Sequence, residues 1–206
     1  MSINLVKGQK LSLKKEDGNS LTKVCIGLGW DPVKQGPGKG GFLQGLFGSS
    51  NEPDIDCDAS VFMLKQGKLV DKNDIVCYFN LKHKSGAVRH CGDNLTGDGD
   101  GDDEQIQVDL SRVPSDYDRL IFVVNIYESA RRHQQFGMIE NAFIRIVDEH
   151  TGHEFCKFNL SDRAMYDGKT GMIFGEIYRH NDEWKFSANG TGTNDNSITE
   201  MGRRYI

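Results

Sequence analysis

The sequence predicts an all-β fold, a sandwich of two antiparallel sheets, on three observations. Twelve short runs carry strand composition, turn signals separate them at short intervals, and no amphipathic stretch of ten or more residues has helical spacing. In chain order the runs are 3–6, 11–13, 21–28, 60–64, 75–81, 87–90, 106–110, 119–127, 142–148, 154–160, 172–179 and 183–187. The punctuation between them is EDGNS, KSGA, EHTG, YDGKT and RHNDE, all rich in residues that tolerate tight turns. Residues 105–110 alternate polar and apolar. In 142–148, Phe143, Arg145 and Val147 take one face, and Ala142, Ile144 and Ile146 the other. Residues 120–126, LIFVVNI, are apolar on both faces and are expected to be a central strand. Residues 129–135 are expected to make a turn or two of helix in a connection.

Length and composition agree with one domain. The chain has 206 residues, of which 37% are hydrophobic, enough for one substantial core or two small ones, and all-β sandwiches commonly reach this length as one domain. Its organisation reads as a sandwich over 1–189, interrupted by a Gly-rich loop at 34–53, followed by a polar tail over 190–206 that is expected to be loose. The inserted loop carries an apolar island, Phe42-Leu43-Gln44-Gly45-Leu46-Phe47, which either tucks onto the body or meets a partner or membrane. No apolar run approaches the ~20 residues that span a bilayer, and the N-terminus lacks the apolar centre of a signal peptide. The five cysteines (25, 57, 77, 91 and 156) are odd in number and form no Cys-x-x-Cys pair, which suits a reducing cytoplasm.

The functional signal is a concentration of acid. Between Asp93 and Asp109 lie seven carboxylates and three glycines, with no Lys or Arg. Such a run repels itself unless a cation sits among it. Carboxylate, amide and carbonyl oxygens suit a hard divalent ion, Ca²⁺ above all, and glycines let a loop turn its carbonyls inward. A second acidic knot, Asp54-Ile55-Asp56-Cys57-Asp58, precedes a strand-like run and can meet the first in space. The formal net charge is −5, yet without these ten acids the rest of the chain carries 20 acids against 25 bases. The acidity therefore belongs to two loops, as a site would have it, and not to the whole surface. An EF-hand does not fit. With Asp98, Asp100 and Asp102 at the first, third and fifth positions, Asp103 falls where Gly is required and Asp109 where Glu is required, and a strand follows in place of a helix. The ligands are expected to come from loops at one end of a β structure.

Six stretches carry a resemblance to a known family. They are Gly27-Leu28-Gly29-Trp30-Asp31; Asp56-Cys57-Asp58-Ala59-Ser60; His90-Cys91-Gly92-Asp93-Asn94-Leu95-Thr96-Gly97; Gly101-Asp102-Asp103-Glu104; Asn141-Ala142-Phe143-Ile144-Arg145; and Phe174-Gly175-Glu176-Ile177-Tyr178-Arg179-His180-Asn181. In order and spacing, from the N-terminus to about Ser187, they resemble the TerD family of bacterial tellurium-resistance and general stress proteins. The resemblance implies a cytoplasmic, calcium-binding β-sandwich without established catalytic activity, encoded beside membrane and regulatory partners of the tellurite and stress system. It implies Asp56, Asp58, Asp93, Asp102 and Glu104 as ligands, with further oxygens from Asn94, Thr96, Gly97 and Gly99. Asp98 and Asp100 stand where Glu is common, and alternate with Gly so that they can equally face water. Asp31 and Glu176 are weaker candidates, for which cap or ion-pair roles come ahead of metal. The insertion and the residues after Asn189 depart from the family's usual pattern.

Other chemistries fit less well. His150 and His153 flank a predicted turn without a third zinc ligand at metal spacing. GPGKGG lacks the Lys-Ser/Thr ending and the helix of a phosphate loop. A two-metal hydrolase would need a nucleophile-activating group where the loops offer only carboxylates. No basic stripe interleaved with aromatics points to nucleic acid. The alternative to a protein-binding role is a calcium-dependent adaptor that docks on a membrane or other anionic surface as the bound ion cancels the acidic charge.

Overall fold

The computed structural model describes residues 2–32, 55–92, 101–160, 163–181 and 183–206. Among them are twelve strands: β1 (Ile3–Leu5), β2 (Lys10–Ser12), β3 (Lys23–Pro32), β4 (Cys57–Leu64), β5 (Ile75–Val76), β6 (Val88–His90), β7 (Glu104–Asp109), β8 (Arg119–Ile126), β9 (Ile139–Asp148), β10 (His153–Asn159), β11 (Gly171–His180) and β12 (Glu183–Thr193). They form two six-stranded sheets, ordered β1-β10-β9-β3-β7-β6 and β2-β12-β11-β8-β4-β5. β1 runs parallel to β10, and the other described pairings are antiparallel. The two sheets face each other across a core of alternate residues. Val24, Ile26 and Leu28 of β3 and Ile106 and Val108 of β7 meet Ala59, Val61 and Met63 of β4 and Leu120, Phe122 and Val124 of β8.

The run at 120–126 is apolar on both faces because both faces are covered. Its second face, with Ile121 and Val123, joins Phe62 and Leu64 of β4 in a separate cluster closed by Ile198 and Met201. This corrects the expectation of a loose tail at 190–206. β12 continues to Thr193, and a short helix, α2 (Ile198–Gly202), is followed by one 3₁₀ turn at Arg203–Tyr205. Ser197 caps α2 by accepting the Glu200 N–H at 3.2 Å, and Glu200 accepts the Asn196 N–H at 2.8 Å. Tyr205 then sets its ring edge-on to Phe62, at 5.8 Å between centroids.

The run at 75–81 is strand only over Ile75–Val76. Cys77 and Asn80 close a turn on each other, and the Asn80 amide donates to the Ile75 carbonyl at 2.6 Å, which bends the chain out of the sheet. Phe79 is thereby left exposed. The predicted connection helix is a single turn, α1 (Ser129–Arg132), followed by a 3₁₀ turn at Phe136–Met138. The inserted loop at 34–53 lies outside the described residues. No helix among those described is long and apolar enough to cross a membrane.

All five cysteines are free thiols. Cys57, Cys77 and Cys156 are buried, Cys25 is half-buried and Cys91 is exposed. Burial pushes the Cys25 and Cys156 thiols up to about 12, so neither forms appreciable thiolate near neutrality. Under native conditions at pH 8, a thiol reagent is expected to modify Cys91 rapidly and the other four only on unfolding. Rapid native labelling of two or more, located by peptide mapping, would contradict this placement.

Candidate metal centre

The two acidic segments meet at one end of the sandwich. Asp56 leads into β4, Asp58 lies within it, and Glu104 opens β7 of the other sheet. They are 8%, 3% and 1% exposed. Each is placed by backbone geometry. β5 is so short that it pairs only with Val61 and Phe62, so the start of β4 presents an open edge to the opposite sheet. Glu104 and His90, both pointing into the sandwich, close that edge. Glu104 Oε2 accepts the Ala59 N–H at 2.5 Å, and His90 Nε2 donates to the Ala59 carbonyl at 3.1 Å while lying 3.5 Å from Glu104. Asp58 Oδ2 accepts from the amide of its cross-strand partner Asn125 at 3.4 Å. The Asp56 carbonyl accepts the Tyr127 N–H at 2.8 Å, and its carboxylate lies 3.9 Å from the Arg132 guanidinium. Asp103, half-buried, accepts the Trp30 N–H at 2.7 Å and donates its own N–H to Leu28 O at 2.8 Å.

The buried Cys57 thiol registers this convergence. Its pKa is raised well above the ordinary value, first by burial and then by Asp58, Glu104, Asp56 and Asp103. Alternation along β4 nevertheless separates them: Asp58 shares the second face with Asn125, Phe62 and Leu64, while Glu104 faces the core beside Ala59. Carboxylates withdrawn from water and gathered together are costly unless positive charge compensates them. The donors are hard oxygens, as calcium prefers. Among the described residues no three Asp, Glu, His or Cys side chains are spaced as a metal cage. The expected ligands Asp93, Asn94, Thr96, Gly97 and Gly99, with Asp98 and Asp100, lie outside the described residues.

Asp102, expected beside Glu104 as a ligand, is placed differently. It points to the outer face of the first sheet, where Arg145 clamps both its oxygens, Nε to Oδ1 at 2.6 Å and a terminal nitrogen to Oδ2 at 3.0 Å. Asp102 lies before β7 begins, where the chain still crosses the outer face of β3 over Gly27, whereas Glu104 is the first residue of the strand and faces the core. The clamp rests on glycine. A Cβ at Gly27 would lie 2.2 Å from the Asp102 carboxyl carbon, and one at Gly29 would lie 2.8 Å from the Gly101 carbonyl oxygen. The Gly-Leu-Gly of β3 is thus a bare platform on which 101–103 lies, and Arg145 is the bolt. Sequence reading missed the bolt, although an outward Arg on a strand was its visible signal. The two weaker candidates also have partners: Asp31 accepts from the Asn141 amide at 2.7 Å, and Glu176 pairs with Arg119 at 2.8 Å. His150 is exposed in a turn, and His153, also exposed, opens β10.

Comparison with known proteins agrees with this architecture. The sequence profile of the TerD domain matches residues 1–205. The chain is 52% identical to the stress response protein SCP2 of Bacillus subtilis (strain 168) over 206 residues, covering the whole of both chains. It is 42% identical to the tellurium resistance protein TerD of Serratia marcescens over 193 residues, covering 93% of this chain and 91% of that one. A solved structure, a homologue of the telluride resistance protein from Streptomyces coelicolor A3(2), superposes with a TM-score of 0.64 at 20% identity, over 89% of this chain and 98% of the other. That structural likeness speaks for the fold alone, and the sequence matches carry the assignment: the chain belongs to the TerD family.

Proposed function

We propose that this chain is a calcium-binding, non-catalytic protein of the tellurium-resistance and stress response, acting in the cytoplasm through partner proteins, an integral membrane protein among them. The burial of three carboxylates, Asp56, Asp58 and Glu104, at the end of the sandwich where the two acidic segments meet supports the reading. These residues would hold Ca²⁺ together with the expected oxygens of Asp93, Asn94, Thr96, Gly97 and Gly99. The ion would supply the positive charge that the buried acids call for. Glu104, the neighbouring Asp103 and Asp58 also accept bonds from Ala59, Trp30 and Asn125, groups that hold the sheets and loops in place. Carboxylates tied into the scaffold in this way support a structural or sensing role over chemistry. The names of the relatives support the stress and tellurium setting.

Calcium is therefore expected to stabilise the fold. At a hundredfold excess over Kd, a ligand of the native state adds about 2.7 kcal/mol, which for a chain of this length is roughly 5–10 °C in Tm. Melting of chelator-stripped protein with and without calcium is the test, and coincident curves would sink the reading.

One observation favours docking on an anionic surface as a second reading. Exposed Val70, Phe79 and Ile206 line a groove of about 800 Å³ beside β5, with exposed Lys72 and Arg203 on its rim. Sedimentation with phosphatidylserine vesicles, with and without calcium, separates the two. Calcium-dependent co-sedimentation lost in a Phe79→Ser variant supports docking, and a soluble protein in both conditions removes it.

A further inference from the structure

The molecule holds two Arg–Asp pairs near the acidic end, and they are built differently. Arg145 takes both oxygens of Asp102. Arg132 stands off from Asp56, with 3.9 Å between the nearest nitrogen and oxygen, although its side chain is only 19% exposed. Its guanidinium is held by other groups. The Glu128 carboxylate, whose Oε2 also accepts a hydrogen bond from Arg131, lies 3.6 Å from Nε, and the ring of Tyr127 lies beneath at 5.1 Å. The backbone around it is just as constrained. Tyr127 is tied to Asp56 by its N–H, and α1 begins two residues later. The residues flanking that turn, Glu128 at φ 49° and His133 at φ 54°, both adopt the left-handed conformation, which is unfavourable for a non-glycine residue. Strain of this kind persists only where the surroundings over-determine it, and it gathers at functional sites.

We infer that Arg132 is a tethered counter-cation for Asp56, placed to neutralise the acidic centre when no ion is present and to compete with the ion when one arrives. This rests on the calcium reading above and adds a regulation to it. A guanidinium at 3.9 Å lowers the cost of the buried charge without saturating the carboxylate, as the bidentate Arg145 does to Asp102. The same positive charge repels a divalent ion that shares Asp56. Glu128 and the Tyr127 ring fix where the guanidinium stands, and so set how strongly it competes. Arg132 would then weaken affinity for calcium while stabilising the ion-free fold.

The test is calorimetric titration of stripped protein with calcium, together with melting in chelator, for the parent chain, Arg132→Gln and Arg132→Lys. Removing a positive charge beside the ion relieves a like-charge repulsion, so Arg132→Gln is expected to bind calcium on the order of tenfold tighter and to melt lower in chelator. Arg132→Lys, which keeps the charge, is expected to lie near the parent in both. Equal or weaker calcium binding by Arg132→Gln, with the parent binding normally, overturns this inference and leaves the calcium reading standing. A parent chain and variants that all fail to bind calcium overturn the calcium reading and this inference with it.

Discussion

Removing residues 194–206 is expected to leave a chain that no longer melts as one cooperative unit. The deletion strips α2 and the 3₁₀ turn from the second face of β4 and β8, exposing Phe62, Leu64, Ile121 and Val123. Burying a side chain of this kind contributes about 1.5–3 kcal/mol, and four of them rival the roughly 5–15 kcal/mol of net stability typical of a domain. The uncovered strands are central and apolar, so the exposed surface is also an invitation to aggregate. A milder variant separates packing from gross disruption: Met201→Ala should cost about 2–5 kcal/mol while keeping the helix. Denaturant unfolding reads both. A truncated chain that unfolds at the parent's midpoint would mean that the cluster is not closed by these residues.

Gly27→Val is expected to break the anchor of the acidic loop while leaving the sandwich folded. The new Cβ would lie 2.2 Å from the Asp102 carboxyl carbon, and Arg145 prevents that carboxylate from swinging aside freely. Forcing atoms into a filled site costs about 1–3 kcal/mol, well below what would unfold the domain. The larger effect is positional. Once Asp102 lifts off, Asp103 and Glu104 lose the register that aims them at Trp30 and Ala59, so calcium affinity should fall at least about tenfold, the consequence of 1.4 kcal/mol of misplacement. Arg145→Ala should reproduce part of the loss by removing the bolt without adding bulk. Hydrogen exchange at the Asp103 N–H, bonded to Leu28, reports the anchor directly. Unchanged protection in Gly27→Val would show that the platform does not hold the loop.

The legible parts of this fold are those governed by short-range pattern. Each of the twelve predicted runs overlaps a strand, because alternation along a chain is visible without knowing its partners. Residues 120–126 gave away their two-sided burial in the same manner, but not what covers the second face. The cover sits in a segment whose polar stretch at 194–197 hides the two apolar anchors, Ile198 and Met201, of a helix only five residues long. Pattern also failed at 75–81, where six of seven residues are hydrophobic yet a single asparagine amide turns the chain away. At the candidate site, the approach of the two acidic segments, seen where Glu104 meets the Ala59 N–H, was suggested by their density in the sequence. The diversion of Asp102 was not, since its partner Arg145 lies 43 residues away and only the sheet brings them together. The stand-off of Arg132 from Asp56 was hidden for the same reason, being set by a turn whose left-handed residues, Glu128 and His133, carry no glycine to announce it.

The central claim is that the buried carboxylates of this end of the sandwich hold calcium. Equilibrium dialysis of stripped protein against radioactive calcium, with magnesium and zinc as competitors, tests it most directly. The account predicts saturable uptake in a whole-number ratio to protein, little displaced by equimolar magnesium or zinc and sharply weakened in Asp58→Asn and Glu104→Gln. No calcium retained, or tight zinc uptake that vanishes when Cys57 or Cys91 is replaced by serine, would contradict it.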